Sequence, residues 1–252
     1  MPSNNSPAWN FNTFTIIGRC ARHGHLGIAL TSSPLAVTSR CPFIKANVGA
    51  ISSQAFPHPG LGPLAIHLLE IGHTPEKVIS ELRESDRWPE YRQIGIIDKN
   101  GFSAASTGHD NSDWKGHKNG LNYVAMGNYL VGPDVVAAME DSWLSSEDEI
   151  LEERLLSALE AGRDAGGEKG GHLSAGLIVH GAQSFPRTDL RVDMHLGEKD
   201  KDAVHSLRTI FDVYRPLIPF YEERPENPLI GGWREWLEQH QGIKESSGPA
   251  LA

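Results

Sequence analysis

TFTIIGRCARHGHLGIALTSSPLAVTSRCPFIKANVGAISSQ, running from Thr13 to Gln54, carries four strand signals in succession. Thr13 to Gly18 and Leu26 to Thr31 are β-branched and apolar runs separated by a His23-Gly24 corner, which reads as a hairpin. Leu35 to Ser39 reads as a third strand leading into Ser39-Arg40-Cys41-Pro42. Asn47 to Ser53 reads as a fourth, ending on Gln54 before the turn-rich Pro57-His58-Pro59-Gly60. Polar residues enter this sheet at its strand ends, where binding and chemistry concentrate.

Helical and strand signals alternate in blocks beyond this stretch. Leu61 to Ile71 has a helical apolar face, and Thr74-Pro75 is an N-cap followed by a proline at the first helical position of a second helix. Gln93 to Asp98 and Phe102 to Thr107 flank an Asn100-Gly101 turn as a hairpin. Gly108 to Asn119 is polar and reads as a surface loop, and Leu121 to Met126 as a strand running into Gly127-Asn128. Helices are expected over Asp134 to Leu144, Glu147 to Ala165 and Asp202 to Tyr214. Strands are expected over Leu173 to His180 and Asp189 to His195, the latter alternating so that Asp189, Arg191, Asp193 and His195 share one face. This order predicts antiparallel sheets with helices stacked outside, an α+β layered domain.

The chain has 252 residues, enough for one large core. A net charge of −9 without any basic run argues against nucleic-acid binding. No apolar run approaches the length of a membrane span and no signal-peptide pattern opens the chain, so no membrane association and a cytoplasmic location are expected. Cys20 and Cys41 read as free thiols. The twelve histidines are scattered without ligand spacing, so neither a metal nor another cofactor is expected. Residues 1–12 form an N-terminal arm, 13–216 the domain, and 217–252 an extension that packs on this chain or a neighbour. The extension holds Leu217, Ile218, Phe220, Tyr221, Trp233 and Trp236, and so predicts a homodimer or larger assembly.

Thr13 is the sharpest chemical candidate. A threonine hydroxyl attacks an amide carbonyl when an amine beside it takes the proton, and a chain's own α-amino group does this when the threonine comes first. Twelve residues precede it here, so that chemistry requires cleavage between Asn12 and Thr13. Ser39 and Arg40 are candidate substrate-binding residues, the guanidinium as a two-bond fork for a carboxylate. Cys41 is either a nucleophile or a small buried hydrophobe. Gln54 and Asn128 are strand-end amides suited equally to an oxyanion and to capping a turn. The face of Asp189, Arg191, Asp193 and His195 fits an ion-pair row at a sheet edge as well as a catalytic one.

These motifs together resemble a family known as domain of unknown function 1028, among the N-terminal-nucleophile (Ntn) hydrolase-like proteins. The resemblance spans Thr13 to Tyr214. It rests on Thr13-Phe14-Thr15-Ile16-Ile17, on Ser39-Arg40-Cys41-Pro42 with Val48-Gly49-Ala50 and Gln54, on Gly127-Asn128 with Val131-Gly132-Pro133, and on Asp189-Leu190-Arg191-Val192-Asp193. It implies a four-layer αββα sandwich. In many relatives the threonine directly follows the initiator Met. This chain departs in its arm, in Leu173 where relatives tend to have Gln, and in Met194 in place of a second acid.

The expected function is hydrolysis of a C–N bond in a small amide, cyclic amide or imide. Thr13 is the nucleophile, Asn128, Asp193 and His195 the other catalytic candidates, and Ser39, Arg40, Gln54 and Arg191 the substrate-binding ones. The alternatives are a hydrolase that activates water in an uncleaved chain, and a non-catalytic small-molecule-binding protein of the same fold.

Overall fold

The computed structural model describes residues 12–197 and 202–241. Most of the expected arm and the last residues of the extension lie outside these.

Strands β1 (Thr13–Arg19) and β2 (Leu26–Ser32) form the predicted hairpin and the centre of a six-stranded sheet. With β7 (Gly116–Gly120), β8 (Tyr123–Asn128), β9 (Ser174–His180) and β10 (Pro186–Val192), its order is β10-β9-β2-β1-β8-β7. A second sheet has the order β3-β4-β5-β6, from Pro42–Lys45, Gly49–Ala55, Arg92–Asp98 and Ser103–Thr107. All the pairings in both sheets are antiparallel.

Three apolar clusters define the layers. Helices α1 (Leu61–Glu70) and α2 (Pro75–Ser85) cover one face of the smaller sheet, where Ile51, Ile94 and Ile96 meet Leu61, Val78 and Leu82. Helices α3 (Asp134–Ser145), α4 (Leu151–Asp164) and α5 (Ala203–Tyr214) cover the outer face of the larger sheet, where Phe14, Ile16 and Ala125 meet Met139, Leu155 and Leu207. Between the sheets lie Ile17, Ile28, Leu30, Ala50, Ile97, Val124 and Met126. The molecule is therefore a four-layer αββα sandwich, as the block order and the resemblance both imply.

Four local readings are corrected. Leu35 to Ser39 is not a strand: Ala36 sits in the left-handed region at φ 52° and Val37–Ser39 is a 3-10 turn, so the third strand starts later, at Pro42. That proline fits because it is the first residue of an edge strand, where no ladder N–H is needed. Gly108 to Asn119 is a loop only as far as Lys115, because Gly116–Gly120 pairs with β8; a solvent-facing edge strand is polar and imitates a loop. The helix expected from Glu147 begins at Leu151. The last strand runs Pro186–Val192, so Asp193 and His195 lie past its end.

The extension folds onto its own chain. Leu217, Ile218, Phe220 and Trp236 are buried, with α6 (Ile218–Glu223) packed by β10 and the Phe220 ring 5.9 Å from that of Trp236 in α7 (Trp233–Gln241). The apolar residues that motivated an assembly are thus mostly covered within one chain. Among the described residues, no helix is long and apolar enough to cross a membrane.

Candidate active site

Side chains alternate along a strand, so one face of β1 carries Thr13, Thr15 and Ile17 into the layer between the sheets, while Phe14 and Ile16 point at the helices. The same parity brings Ser32 from β2, Ser52 and Gln54 from β4, Gln93 from β5 and Asn128 from β8 into that layer. The register sets Thr13 opposite both Ser32 and Asn128, and Gln54 opposite Gln93. One end of an otherwise apolar interior is therefore polar, and Thr13 stands on its central strand.

A connected network holds that end. Gln54 Nε2 donates to the Thr13 carbonyl at 3.1 Å and to Gln93 Oε1 at 2.9 Å. Asn128 Nδ2 donates to the same two oxygens at 3.3 and 3.1 Å. Gln93 Nε2 in turn reaches Thr107 Oγ1, Gly116 O and Gly127 O, and Thr15 Oγ1 donates to Gln54 Oε1 at 2.5 Å. An amide nitrogen has two hydrogens, and both of these nitrogens have committed theirs. Gln54 and Asn128 consequently fix the Thr13 backbone and do not have a hydrogen left for an oxyanion, which corrects the role expected of them.

Thr13 Oγ1 donates to the Asn12 carbonyl at 2.6 Å and lies 3.1 Å from Ser32 Oγ, which donates to that same carbonyl. Ser33 Oγ donates to Asn12 Oδ1. Asn12 and Thr13 are both buried. Gly170 closes over them: a Cβ on this residue would meet Asn12 Nδ2 and Ser33 Oγ, so a larger residue would push both side chains from their places.

Glu168, in the turn between α4 and β9, is 4% exposed, and neither carboxyl oxygen closes a hydrogen bond. Burial pushes its carboxyl well above the usual range, and the Ser33 backbone N–H, the one group that favours the charged form, does not offset this. The folded chain thus keeps this proton to higher pH than the unfolded chain, whose ordinary value is 4.5. Stability from this group is full below that pH and falls as pH rises, by at most about 1.4 kcal/mol per unit. Denaturant unfolding at about pH 5 and about pH 7 should show this fall in Thr13→Ala, where the Asn12–Thr13 bond stays intact, and a smaller one in Thr13→Ala with Glu168→Gln. Equal falls in the two proteins would mean that Glu168 is already ionised.

The other expected residues divide. Ser53 N donates to Cys41 O at 3.0 Å and Pro42 pairs with Ser52, so Ser39 and Arg40 come to the same end of the smaller sheet as Gln54. The Arg40 guanidinium meets neutral acceptors there, Leu35 O and Ser39 Oγ at 3.2 Å. Cys41 is a buried hydrophobe: burial pushes its thiol up to about 12, against the pull of Arg40. Asp193 and His195 are not with Thr13. They follow the edge strand β10, and Thr13 is three strands away, about 14 Å at ordinary strand spacing. The Asp193 carbonyl accepts from Ala36 N, and His195 Nδ1 lies 3.0 Å from Ser206 Oγ on α5. Arg191 is forked onto Asp189 at 2.7 and 2.8 Å, the ion-pair row of a sheet edge. Sequence reading missed Ser32, Ser33, Gln93 and Glu168; the glycine pairs flanking Glu168 were the available signal for the last. Among the described residues, no three His, Cys, Asp or Glu side chains are grouped to hold a metal ion.

No curated protein matches the chain. Among solved structures it is similar to the crystal structure of protein SPO2555 from Silicibacter pomeroyi, assigned to DUF1028. The TM-score is 0.73 with 30% identity, covering 81% of this chain and 89% of that chain. Anbu (ancestral beta-subunit) from Yersinia bercovieri aligns at a TM-score of 0.40 with 11% identity, over 83% of this chain and 97% of that one. Residues 13–200 match the Family of unknown function (DUF1028). Because that match opens on Thr13 and takes in every strand of both sheets, the chain belongs to the DUF1028 family.

Proposed function

We propose that this protein hydrolyses the C–N bond of a small amide, cyclic amide or imide, with Thr13 as nucleophile after the peptide bond from Asn12 has been broken. One observation carries the reading: the Thr13 hydroxyl is held against a carbonyl, that of Asn12, as it would be against a substrate's. That carbonyl lies within hydrogen-bond reach of the Thr13 hydroxyl and accepts a second hydrogen bond from Ser32. Loss of Asn12 vacates that place and frees the α-amino group of Thr13. An α-amine titrates near 8, so it is partly neutral at physiological pH and able to take the hydroxyl proton. Ser32 Oγ then becomes the donor to the oxyanion. In the intact chain the hydroxyl is buried and committed to Asn12, and no imidazole or free carboxylate among the expected acid–base residues lies beside it to activate water.

Intact-mass measurement and a screen of small amides, imides and ureas test this together. The expected result is a species beginning at Thr13 that turns over a member of the panel. An uncleaved chain that turns over amides supports the water-activating alternative, and an uncleaved, inactive chain the binding-protein one.

Arg40 is the proposed carboxylate fork. Its present acceptors are neutral oxygens, and a charged pair contributes about 1.5–3 kcal/mol. Arg40→Ala should therefore raise KM for a carboxylate-bearing amide by roughly 10-fold or more, with little change in Tm. An unchanged KM with a lowered Tm would assign Arg40 to holding the Leu35–Ser39 turn.

A further inference from the structure

We propose that Glu168 is the positioning residue for the α-amino group of Thr13, its carboxylate pairing with the ammonium that appears when the Asn12–Thr13 bond is broken and turning it toward Thr13 Oγ1. This rests on the reading of Thr13 as an N-terminal nucleophile.

A carboxyl group this deeply buried with only the Ser33 N–H facing it is costly, and native proteins rarely leave one so. The turn that carries it is held against the strand ends. Leu130 bridges to Glu168, Lys169 N donates to Tyr129 O, and Leu173 N donates to Ser32 O at 3.0 Å. These contacts lead directly from Asn128 and Ser32, the two cross-strand neighbours of Thr13. The carboxyl faces the Ser33 amide, one residue from Ser32, while Gly170 lies on Asn12. Asn128 Oδ1 is another buried acceptor without a donor. Three buried acceptor oxygens therefore belong to residues at or beside the cross-strand neighbours of Thr13, whose nitrogen has one N–H as an amide and three as an ammonium.

The step balances. Thr13 Oγ1 adds to the Asn12 carbonyl carbon, the C–N bond breaks as the hydroxyl proton passes to the Thr13 nitrogen to give a neutral amine and an ester on Oγ1, and water then hydrolyses that ester to free the hydroxyl and the Asn12 carboxyl group. Glu168, protonated in the intact chain, then gives its proton to that amine, leaving a carboxylate and an ammonium side by side. During turnover the ammonium first returns a proton to Glu168 or to water, the neutral amine then takes the Thr13 hydroxyl proton, and the carboxylate stabilises the charge that results.

The titratable groups around Glu168 are otherwise engaged. His172 Nε2 accepts from Glu168 N at 3.4 Å, and its Nδ1 lies 2.9 Å from Asp202 Oδ2. Burial would raise the Asp202 carboxyl, but hydrogen bonds from His172 and the His205 N–H, with the Arg163 charge, hold it low. Arg163 Nε pairs with Asp164 at 2.8 Å, and Lys169 Nζ donates to Asp113 O at 3.1 Å. None of these offers a charge to Glu168.

The test is competitive labelling of the native full-length gene product with acetic anhydride across pH, read by mass spectrometry of the peptide that begins at Thr13. In the wild type the labelling midpoint should lie above the ordinary value of about 8 by about one unit, because a carboxylate favours the ammonium. Glu168→Gln should bring it back, so that labelling at about pH 7 becomes about tenfold faster. Glu168→Asp should keep a raised midpoint. An uncleaved wild type removes the Thr13 reading and this proposal with it. A cleaved wild type whose midpoint is unchanged in Glu168→Gln removes the role of Glu168 alone. If Glu168→Gln stays uncleaved with a normal thermal transition and Glu168→Asp restores cleavage, Glu168 acts in the cleavage step itself, and its assignment as the positioning residue of the freed amine is overturned. Loss of both cleavage and thermal stability in the two variants would make Glu168 structural.

Discussion

Thr13→Ala should leave the Asn12–Thr13 bond intact and reduce amide turnover by at least about 10³-fold, while the protein stays folded. The size follows from the role: removing a nucleophile takes away the covalent pathway, and what remains is the smaller contribution of binding and oxyanion donors. The cost in stability is small because the hydroxyl makes two hydrogen bonds, to Asn12 O and Ser32 Oγ, each of about 1 kcal/mol net. The strand itself is held by Phe14, Ile16 and Ile17, which the substitution leaves in place. Thr13→Ser should recover part of the turnover, since it restores the hydroxyl. Intact mass, amide turnover and a thermal scan on the three proteins check this. Undiminished turnover in Thr13→Ala would remove the nucleophile assignment.

Gln93→Leu should destabilise the protein by roughly 3 kcal/mol, a fall in Tm of about 10 °C for a chain of this size. Gln93 is fully buried, its Oε1 accepts from both Gln54 and Asn128, and its Nε2 reaches Gly116 O and Gly127 O. A leucine fills the space but leaves two buried amide hydrogens, on Gln54 and Asn128, without their acceptor and takes a donor away from Gly116 O and Gly127 O, each unpaired hydrogen costing about 1–3 kcal/mol less whatever relaxation recovers. The network also sets the Thr13 carbonyl, so cleavage and turnover should slow in the protein that still folds. Denaturant unfolding with Tm as a second readout measures the first effect. A loss below about 1 kcal/mol would mean that the interior admits water at this point.

Thr74 accepting from Lys77 N ahead of Pro75, and the Thr13–Arg19 and Leu26–Ser32 hairpin, were legible because their causes are local: a cap, a fixed φ, a run of β-branched residues. The layered architecture was legible too, since blocks of period-2 and period-3.6 patterning state which faces must be covered. Thr13 stood out by residue type and position. Its neighbours did not, because alternation places Thr13, Ser32, Gln54, Gln93 and Asn128 on inward faces without saying which strands adjoin; that depends on sheet order and register, set by packing between distant segments. The same gap let Asp193 and His195 pass as partners of Thr13, three strands away. Glu168 and the closely fitted Gly170, marked only by the glycine pairs around them, were passed over for a further reason. A charged residue in a glycine-rich turn reads as exposed surface, and only the folded chain shows that this turn is pressed onto Asn12, with the carboxyl shut away from water.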